Sequence, residues 1–273
     1  MSAQDTMQPL VFITGASSGI GQALALRYHQ AGWRLALVAR RAQAMHQWAQ
    51  QHGLHEADCR IFVADVSDED SIMAAAHQCL THMGLPQVVI ANAGISQGMD
   101  TAIRADLAVL QRVMATNVLG MAATFHPFIA PMQAQAHAHN PLPFTLVGIA
   151  SVAGIRGLPG HAAYSASKAA VISYCESLRG ELRGTNGQTG VRVVTIAPGY
   201  IDTPLTRKNK YPMPFLMSAE AFAERAFQTI ERGTSYRVIP WPMGLVAKLL
   251  RLLPNAWFDR LLHNQPRKHR EPL

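Results

Sequence analysis

Short apolar runs alternate with longer amphipathic stretches along most of this chain, and this alternation is its main structural signal. The strands it predicts are Leu10–Thr14, Arg34–Ala39, Arg60–Ala64, Gln87–Ala91, Phe144–Ala150, Val191–Ala197 and Tyr236–Ile239. The helices it predicts are Ser18–Ala31, Arg41–Gln51, Ser67–Met83, Leu107–Met132, Ala162–Arg183 and Ser218–Arg232. Pro127 and Pro131 are expected to mark the end of the fourth helix, because proline cannot donate the helical hydrogen bond.

Strands that alternate with helices predict repeated βαβ units and a parallel sheet covered on both faces. The run Val88–Ile90 is apolar at every position, which is typical of a strand buried on both sides. We therefore expect an α/β fold of the Rossmann type. It would be a doubly wound parallel sheet of about seven strands in three αβα layers, with residues 1–273 forming one domain.

The last segment of the chain, residues 241–273, has a different pattern and predicts a helical C-terminal extension. Leu245–Leu253 is apolar with Lys248 and Arg251 interleaved, Pro254 interrupts it, and Asn255–His263 predicts a second short helix. Three roles stay open at this point. The extension would cover a substrate cleft, dock on a partner subunit, or rest on a membrane surface in a weak contact.

The composition is that of a globular protein with a large core: 49% of residues are hydrophobic and 15% are charged. The net charge of +7 comes partly from a cluster at 267–270, whose simplest interpretation is a solvated basic tail. No interleaving of aromatic and basic residues points to nucleic acid. The three cysteines and twelve histidines show no metal-binding spacing, so no metal is expected. Met1–Gln8 does not resemble a signal peptide, and we expect a cytoplasmic protein.

A glycine-rich turn follows the first predicted strand and opens the first helix. Gly15, Gly19 and Gly21 permit a tight turn and close approach of the backbone, in the spacing Gly-x-x-x-Gly-x-Gly. Free amides at a helix N-terminus bind a diphosphate well. The alternative is a plain tight turn. The remaining residues of the turn expected at a cofactor are Ser17, Ser18 and Ile20.

The end of the second predicted strand indicates which dinucleotide would bind. NAD-binding folds place an acid there to hold the ribose 2′-hydroxyl. This chain has Arg40 and Arg41 instead, and a guanidinium can pair with a 2′-phosphate bidentately. The pattern favours NADP(H), although an exposed charge pair at a helix start would look the same.

Tyr164 and Lys168 lie four residues apart on a predicted helix and therefore project from one face. A neighbouring ammonium lowers the pKa of a phenol, which would suit Tyr164 to proton transfer. Lys168 would also hold the nicotinamide ribose. Ser151 ends the fifth strand, where open α/β sheets bind ligands, and its hydroxyl would polarise a substrate carbonyl.

In this order and spacing, the motifs resemble those of the classical short-chain dehydrogenase/reductase family over about Leu10 to Thr206. The resemblance implies a catalytic tetrad of Asn117, Ser151, Tyr164 and Lys168, in which the backbone carbonyl of Asn117 holds a water for a proton relay. It implies that Asp65 and Val66 contact adenine and that Asn92, Ala93 and Gly94 support the sheet and line the adenine ribose. Pro198, Gly199, Ile201 and Thr203 would hold the nicotinamide carboxamide. A homodimer or homotetramer built on the Tyr164 helix is also implied.

We therefore expect an NADP(H)-dependent oxidoreductase that interconverts a ketone or aldehyde with an alcohol. The expected substrate walls are Ile95–Met99, Val152–His161 and Leu205–Leu216 with the apolar tail; they are largely apolar, so a hydrophobic small molecule is the expected substrate. The alternative is an NADP-binding regulatory or membrane-associated protein that keeps the fold without turnover.

Overall fold

A computed structural model describes residues 8–136, 143–184, 190–209, 212–263, 268 and 270. The strands are β1 (Leu10–Thr14), β2 (Arg34–Ala39), β3 (Cys59–Val63), β4 (Val88–Ala91), β5 (Thr145–Ile149), β6 (Arg192–Pro198), β7 (Ile201–Asp202), β8 (Met217–Ser218) and β9 (Tyr236–Ile239). The helices are α1 (Gly19–Gln30), α2 (Ala42–Gln51), α3 (Glu69–Met83), α4 (Leu107–Met114), α5 (Gly120–Ala136), α6 (Ala162–Glu181), α7 (Ala219–Glu231), α8 (Trp241–Leu252) and α9 (Asn255–Leu262).

Seven strands form one parallel sheet in the order β3-β2-β1-β4-β5-β6-β9, which confirms the predicted Rossmann-type topology. The chain winds outward from β1 to β3, returns to β4 beside β1, and winds outward again to β9. The carboxyl ends of β1 and β4 are therefore the point at which the winding reverses, where sheets of this kind open a crevice for ligands. The short strands β7 and β8, which the pattern did not predict, pair separately.

Apolar side chains on alternate positions of each strand supply two separate cores. In β1, Leu10 and Phe12 face the layer formed by α3, α5 and α6, while Val11 and Ile13 face the layer formed by α1, α2 and α7. All five residues of β1 are buried. The continuous apolar runs noted in the sequence are thus the consequence of helices covering both faces.

The long helical region differs from its prediction at both prolines. Pro127 and Pro131 do not end it; they lie inside α5, which continues to Ala136. Each proline removes one helical hydrogen bond, but Phe125, Phe128 and Met132 are fully buried between the prolines and on either side of them. Burial of this face against the sheet holds the helix together across positions where local propensity would end it.

The same region is long and apolar enough to cross a membrane by length and composition, counted over Arg104–Ala136. In the structure it is a layer of the fold instead. The ring of Phe128 lies 4.9 Å from that of Phe12 in β1, and α5 packs on α3. Between α4 and α5 the helix widens into one π-helical stretch, Ala115–Leu119, a feature frequently found at functional sites.

The helical C-terminal extension is confirmed as α8 and α9. Arg156 anchors both helices. Its guanidinium donates to the carbonyls of Leu250 and Leu253 at the end of α8, the latter at 2.7 Å, and to Oδ1 of Asn255 at 3.0 Å. The cation thereby satisfies carbonyls that have no partner within the helix.

Two glycines in helices provide a matched test of how closely α5 packs on the turn after β3. A side-chain carbon at Gly120 would lie 2.5 Å from the carbonyl oxygen of Val66, whereas one at Gly180 would meet nothing within 4 Å. We expect Gly120→Ala to lower the free energy of unfolding by about 1–3 kcal/mol. Gly180→Ala should raise it by about 0.5–1 kcal/mol through helix propensity. Urea unfolding measures both; equal effects would show that α5 does not pack closely on the turn after β3.

Candidate active site

A cleft of about 540 Å³ opens at the carboxyl ends of the central strands. All the residues predicted to bind a cofactor or to act in catalysis line it, except Gly21 and Asn117, which neighbour the lining residues Gly15 and Gly94. The lining residues are Gly15, Ser17, Ser18, Gly19, Ile20, Arg40, Arg41, Asp65, Val66, Asn92, Ala93, Gly94, Ser151, Tyr164, Lys168, Pro198, Gly199, Ile201 and Thr203. The fold thus brings together segments that are up to 188 positions apart, from Gly15 to Thr203.

The glycine turn has the conformation and the close contacts that its sequence predicts. Gly15 and Gly19 have φ values of 67° and 55°, a region that favours glycine. A side-chain carbon at Gly15 would lie 2.7 Å from Cα of Ala93, and one at Gly21 would collide with the carbonyl of Gly15. The turn is therefore pressed against the end of β4, and α1 starts at the cleft. This cradle fits a diphosphate at the N-terminus of α1.

Asn92 braces the glycine turn from the neighbouring strand. Its side-chain amide donates to the carbonyls of Thr14 and Gly15 at 3.0 and 3.3 Å. In return, the hydroxyl of Thr14 accepts from the backbone amides of Asn92 and Ala93 at 3.1 and 3.2 Å. These bonds join β1 to β4 at the point where the sheet winding reverses, so the role of Asn92 is supportive as well as lining.

The far end of the cleft carries two guanidinium groups. Nη1 of Arg40 lies 3.4 Å from Oδ2 of Asp65, and Nη2 of Arg41 donates to the hydroxyl of Ser17 at 3.1 Å. Burial acts to raise the pKa of Asp65, but hydrogen bonds from Ser67 and the charge of Arg40 lower it overall. Arg40 keeps 69% of its side chain exposed and is available to a further anion. This arrangement fits a phosphate on the adenosine side.

Asn117 lies on the π-helical stretch and faces away from the cleft opening, with 2% of its surface exposed. Its amide donates to the carbonyl of Ile95 at 3.0 Å and to the hydroxyl of Ser167 at 2.9 Å. Its carbonyl oxygen accepts from the amide of Ile95 at 2.8 Å. The side chain therefore links the segment after β4 to α6, one residue from Lys168.

Ser151, Tyr164 and Lys168 converge at the other end of the cleft. Ser151 caps a short 3-10 turn after β5, where its hydroxyl accepts from the amide of Ala153 at 3.2 Å, and it is hydrogen-bonded to the phenol of Tyr164. The ammonium of Lys168 donates to the carbonyl of Ile149 at 2.7 Å. Gly154 allows this convergence, because a side-chain carbon there would lie 2.5 Å from the backbone of Lys168.

The electrostatics of the pair differ from the sequence-based expectation. Burial raises the pKa of Tyr164, and the hydrogen bond with Ser151 lowers it only in part. Burial also lowers the pKa of Lys168 to about 8. The expectation that Lys168 lowers the pKa of Tyr164 below its usual value was therefore wrong. The cation lies 5.9 Å from the centre of the ring and is directed at Ile149, so desolvation dominates both groups.

The C-terminal tail contacts the segment between β4 and α4. Arg270 forms a bidentate pair with the carboxylate of Asp106, at 2.8 and 2.9 Å, and that carboxylate is 1% exposed. Lys268 donates to the hydroxyl of Ser96 at 2.6 Å. The interpretation of a solvated basic tail was therefore wrong for these two residues; residues 267 and 269 lie outside the described part of the chain. Lys268 and Arg270 thus lie beside one predicted substrate wall, Ile95–Met99.

Several residues that shape the site were not found by sequence reasoning. Thr14, Ser167 and Gly154 position the predicted residues, and Arg112 lines the cleft itself. Gly154 could have been found from the sequence, because it lies between the predicted site residues Ser151 and Tyr164. The pairing of Asp106 with Arg270 could not, because 164 positions separate the two residues and no local pattern connects them. Of the predicted wall 205–216, residues 210 and 211 lie outside the described residues.

Comparison with known proteins agrees with this geometry. Residues 9–213 match the sequence pattern of the family described as short chain dehydrogenase. An uncharacterized oxidoreductase of Myxococcus xanthus is 38% identical over 250 residues, covering 90% of this chain and 93% of its own. A short-chain dehydrogenase/reductase of Burkholderia phymatum, solved in complex with NAD, superposes with a TM-score of 0.78 at 23% identity and covers 99% of both chains.

A second solved structure has a different cofactor. The alcohol dehydrogenase of Thermococcus sibiricus, complexed with 5-hydroxy-NADP, superposes with a TM-score of 0.71 at 22% identity, over 85% of this chain and 96% of its own. Both structural likenesses show the fold. They do not decide between the two nicotinamide cofactors.

The buried amine of Lys168 generates a prediction about stability and pH. The folded protein releases its proton near pH 8 and the unfolded chain near 10.5. Between these values the unfolded chain binds more protons, so the native protein should gain stability as pH rises, by up to roughly 1.4 kcal/mol per pH unit. Below pH 8 this contribution is constant.

Lys168→Met removes the titrating group, so the stability of native protein relative to this variant should rise from pH 8 to 10.5. Urea unfolding of both proteins across pH 7 to 10.5 gives the difference, in which the titrating groups that do not interact with Lys168 cancel. The lost bond to Ile149 shifts the difference by a constant amount only. Parallel pH profiles would contradict a buried, desolvated amine.

Proposed function

Because the chain belongs to the short-chain dehydrogenase/reductase family of oxidoreductases, we propose that it uses NADP(H) to interconvert a carbonyl and an alcohol, with Tyr164 as the acid and base. The observation that supports this most directly is the convergence of Ser151, Tyr164 and Lys168 at one end of a cleft whose other end carries Arg40 and Arg41. A dinucleotide would span the two ends, with its diphosphate at the glycine turn.

The residues at the reacting end divide the work of carbonyl reduction. NADPH would supply the hydride. Tyr164 donates the proton to the carbonyl oxygen, and its raised pKa keeps the phenol protonated at neutral pH, which suits a donor. Ser151 hydrogen-bonds that oxygen and stabilises the charge that develops on it. Lys168, with a pKa of about 8, is able to return a proton to Tyr164 near neutral pH, through a relay of which Asn117 is part.

The preference for NADP(H) over NAD(H) rests on the charges beside β2. In this chain no acid occupies the end of β2, and the exposed guanidinium of Arg40 borders the cleft next to Arg41 and Ser17. A 2′-phosphate there would gain charge-assisted hydrogen bonds, while the uncharged 2′-hydroxyl of NAD would gain less.

A hydrophobic ketone or aldehyde is the substrate class that the cleft supports. Ile95 and Leu205 line it. Pairing of β7 with β8 brings Met217 beside Ile201, and we propose that the exposed Phe215 and Leu216, which precede Met217, form an apolar rim together with Leu205. We also propose that the protein is cytoplasmic and assembles as a homodimer or homotetramer through α6 and its neighbour; light scattering of the purified protein tests the assembly.

Replacement of the phenol tests the proposed chemistry. Tyr164→Phe should lower kcat about 10²- to 10⁴-fold, because general acid catalysis is lost, while NADPH affinity changes little. Tyr174→Phe, on the same helix and only partly buried, is the matched control and should keep full activity. The assay is NADPH consumption with a panel of hydrophobic ketones and aldehydes. NADPH binding without turnover by the native protein on every substrate would favour a regulatory, non-catalytic protein instead.

Reversal of one charge tests the cofactor preference. Arg40→Asp should weaken NADPH binding at least about 10- to 100-fold, the size of one or two charge-assisted hydrogen bonds. NADH binding should stay the same or become stronger, because an acid at this position can hold the ribose 2′-hydroxyl. Arg60→Asp, exposed in the middle of β3, changes the net charge equally and is the control. Binding is measured by fluorescence titration of each cofactor. Equal losses for NADPH and NADH would count against a 2′-phosphate site.

A further inference from the structure

The C-terminal helices α8 and α9 both expose large apolar side chains. Side chains spaced three or four positions apart along α8 share one side of the helix, and α9 adds two more. The exposed fractions are 66% for Trp241, 55% for Leu245, 57% for Leu249, 80% for Leu252, 72% for Trp257 and 52% for Leu261. We call these six side chains the apolar face. Six large exposed apolar groups within 21 consecutive residues are more than the isolated exposed residues of an ordinary surface.

The opposite side of α8 is firmly attached to the domain. Met243 and Ala247 are buried, and Gly244 packs against Val238. A side-chain carbon added at Gly244 would lie 3.0 Å from Cβ of Val238. Arg156 holds the end of α8 and stacks 3.7 Å from the ring of Phe258 in α9. The apolar face is therefore fixed in its outward direction by the packing of the domain.

Positive charge accompanies the apolar face. Lys248 and Arg251 on α8 and Arg260 on α9 are exposed, and Asp259 is the single acid among the described residues 241–263. The described residues 241–263 therefore contain three cations against one acid.

These observations distinguish between two occupants. If a second copy docked through the same face about a two-fold axis, Lys248 and Arg251 would be brought towards their symmetry mates, at an electrostatic cost. An anionic lipid surface complements both features, because leucine side chains enter the acyl region, tryptophan rings prefer the interface, and cations contact the headgroups. We infer that α8 and α9 dock this protein on the surface of a membrane containing anionic phospholipid.

The two exposed tryptophans supply a local readout of docking. Trp33 and Trp48 are buried in the core, whereas Trp241 and Trp257 belong to the apolar face. Vesicles of phosphatidylcholine with about one third phosphatidylglycerol should therefore shift the emission of the native protein to shorter wavelength, and brominated lipids should quench it. Phosphatidylcholine alone should bind at least about tenfold more weakly, and binding should fall as salt rises.

Paired variants separate the apolar and the electrostatic contributions, measured by vesicle co-sedimentation. Leu245→Gln with Leu249→Gln should lower the partition coefficient at least about tenfold. Its control, Val63→Gln with Leu107→Gln, removes two equally exposed apolar residues elsewhere and should have no effect. Lys248→Gln with Arg251→Gln should also lower it at least about tenfold, while Arg60→Gln with Arg104→Gln, which removes the same charge, should not.

The outcome is independent of catalysis, because Tyr164→Phe should bind vesicles as the native protein does. Failure of the native protein to bind anionic vesicles would overturn the inference. Thermal unfolding of each variant shows whether it is folded, so that loss of binding is not confused with loss of structure. A shift of tryptophan emission that depends on protein concentration and not on the presence of lipid would also overturn the inference. It would indicate that the apolar face forms a contact between copies of this protein.

Discussion

The contact between the ammonium of Lys168 and the carbonyl of Ile149, at 2.7 Å, is the interaction on which the active site depends. It joins α6 to the end of β5. Ser151 follows two residues after that carbonyl, and Tyr164 lies one helical turn before Lys168, so one bond sets the positions of all three groups. Burying the cation has a cost, since desolvation lowers the pKa of its amine to about 8. A pKa in that range also suits the proposed role of Lys168 in returning a proton to Tyr164.

Two side-chain amides connect the segments that form the cleft. Asn92 ties the glycine turn to β4, and Asn117 ties the segment after β4 to α6. Each amide satisfies backbone groups that irregular connections leave without partners. The close approach at Gly15 depends on the first of these ties, and the distance from the glycine turn to Tyr164 depends on both. The site is therefore supported by polar contacts between segments, on strands whose positions the apolar cores determine.

The C-terminal extension is linked to the substrate side of the cleft at two places. Arg156, between Ser151 and Tyr164, anchors α8 and α9, and Arg270 pairs with Asp106 beside the predicted wall Ile95–Met99. One side of the extension thus packs on the domain while the other presents the apolar face. The proposed function and the proposed membrane docking are compatible, because hydrophobic carbonyl compounds partition into the membrane surface that the apolar face would contact.

The sequence by itself determined the order of the main strands and helices along the chain, the segments that line the cleft, and the spacing of Tyr164 and Lys168. These features follow from local periodicity and from motifs within short segments, where neighbouring residues carry the whole signal. Only the tertiary structure decided that α5 continues through Pro127 and Pro131, that burial raises the pKa of Tyr164, and that Arg270 reaches Asp106. In each case the deciding free energy comes from packing or desolvation by residues distant in the chain, and that environment exists only after the layers have assembled.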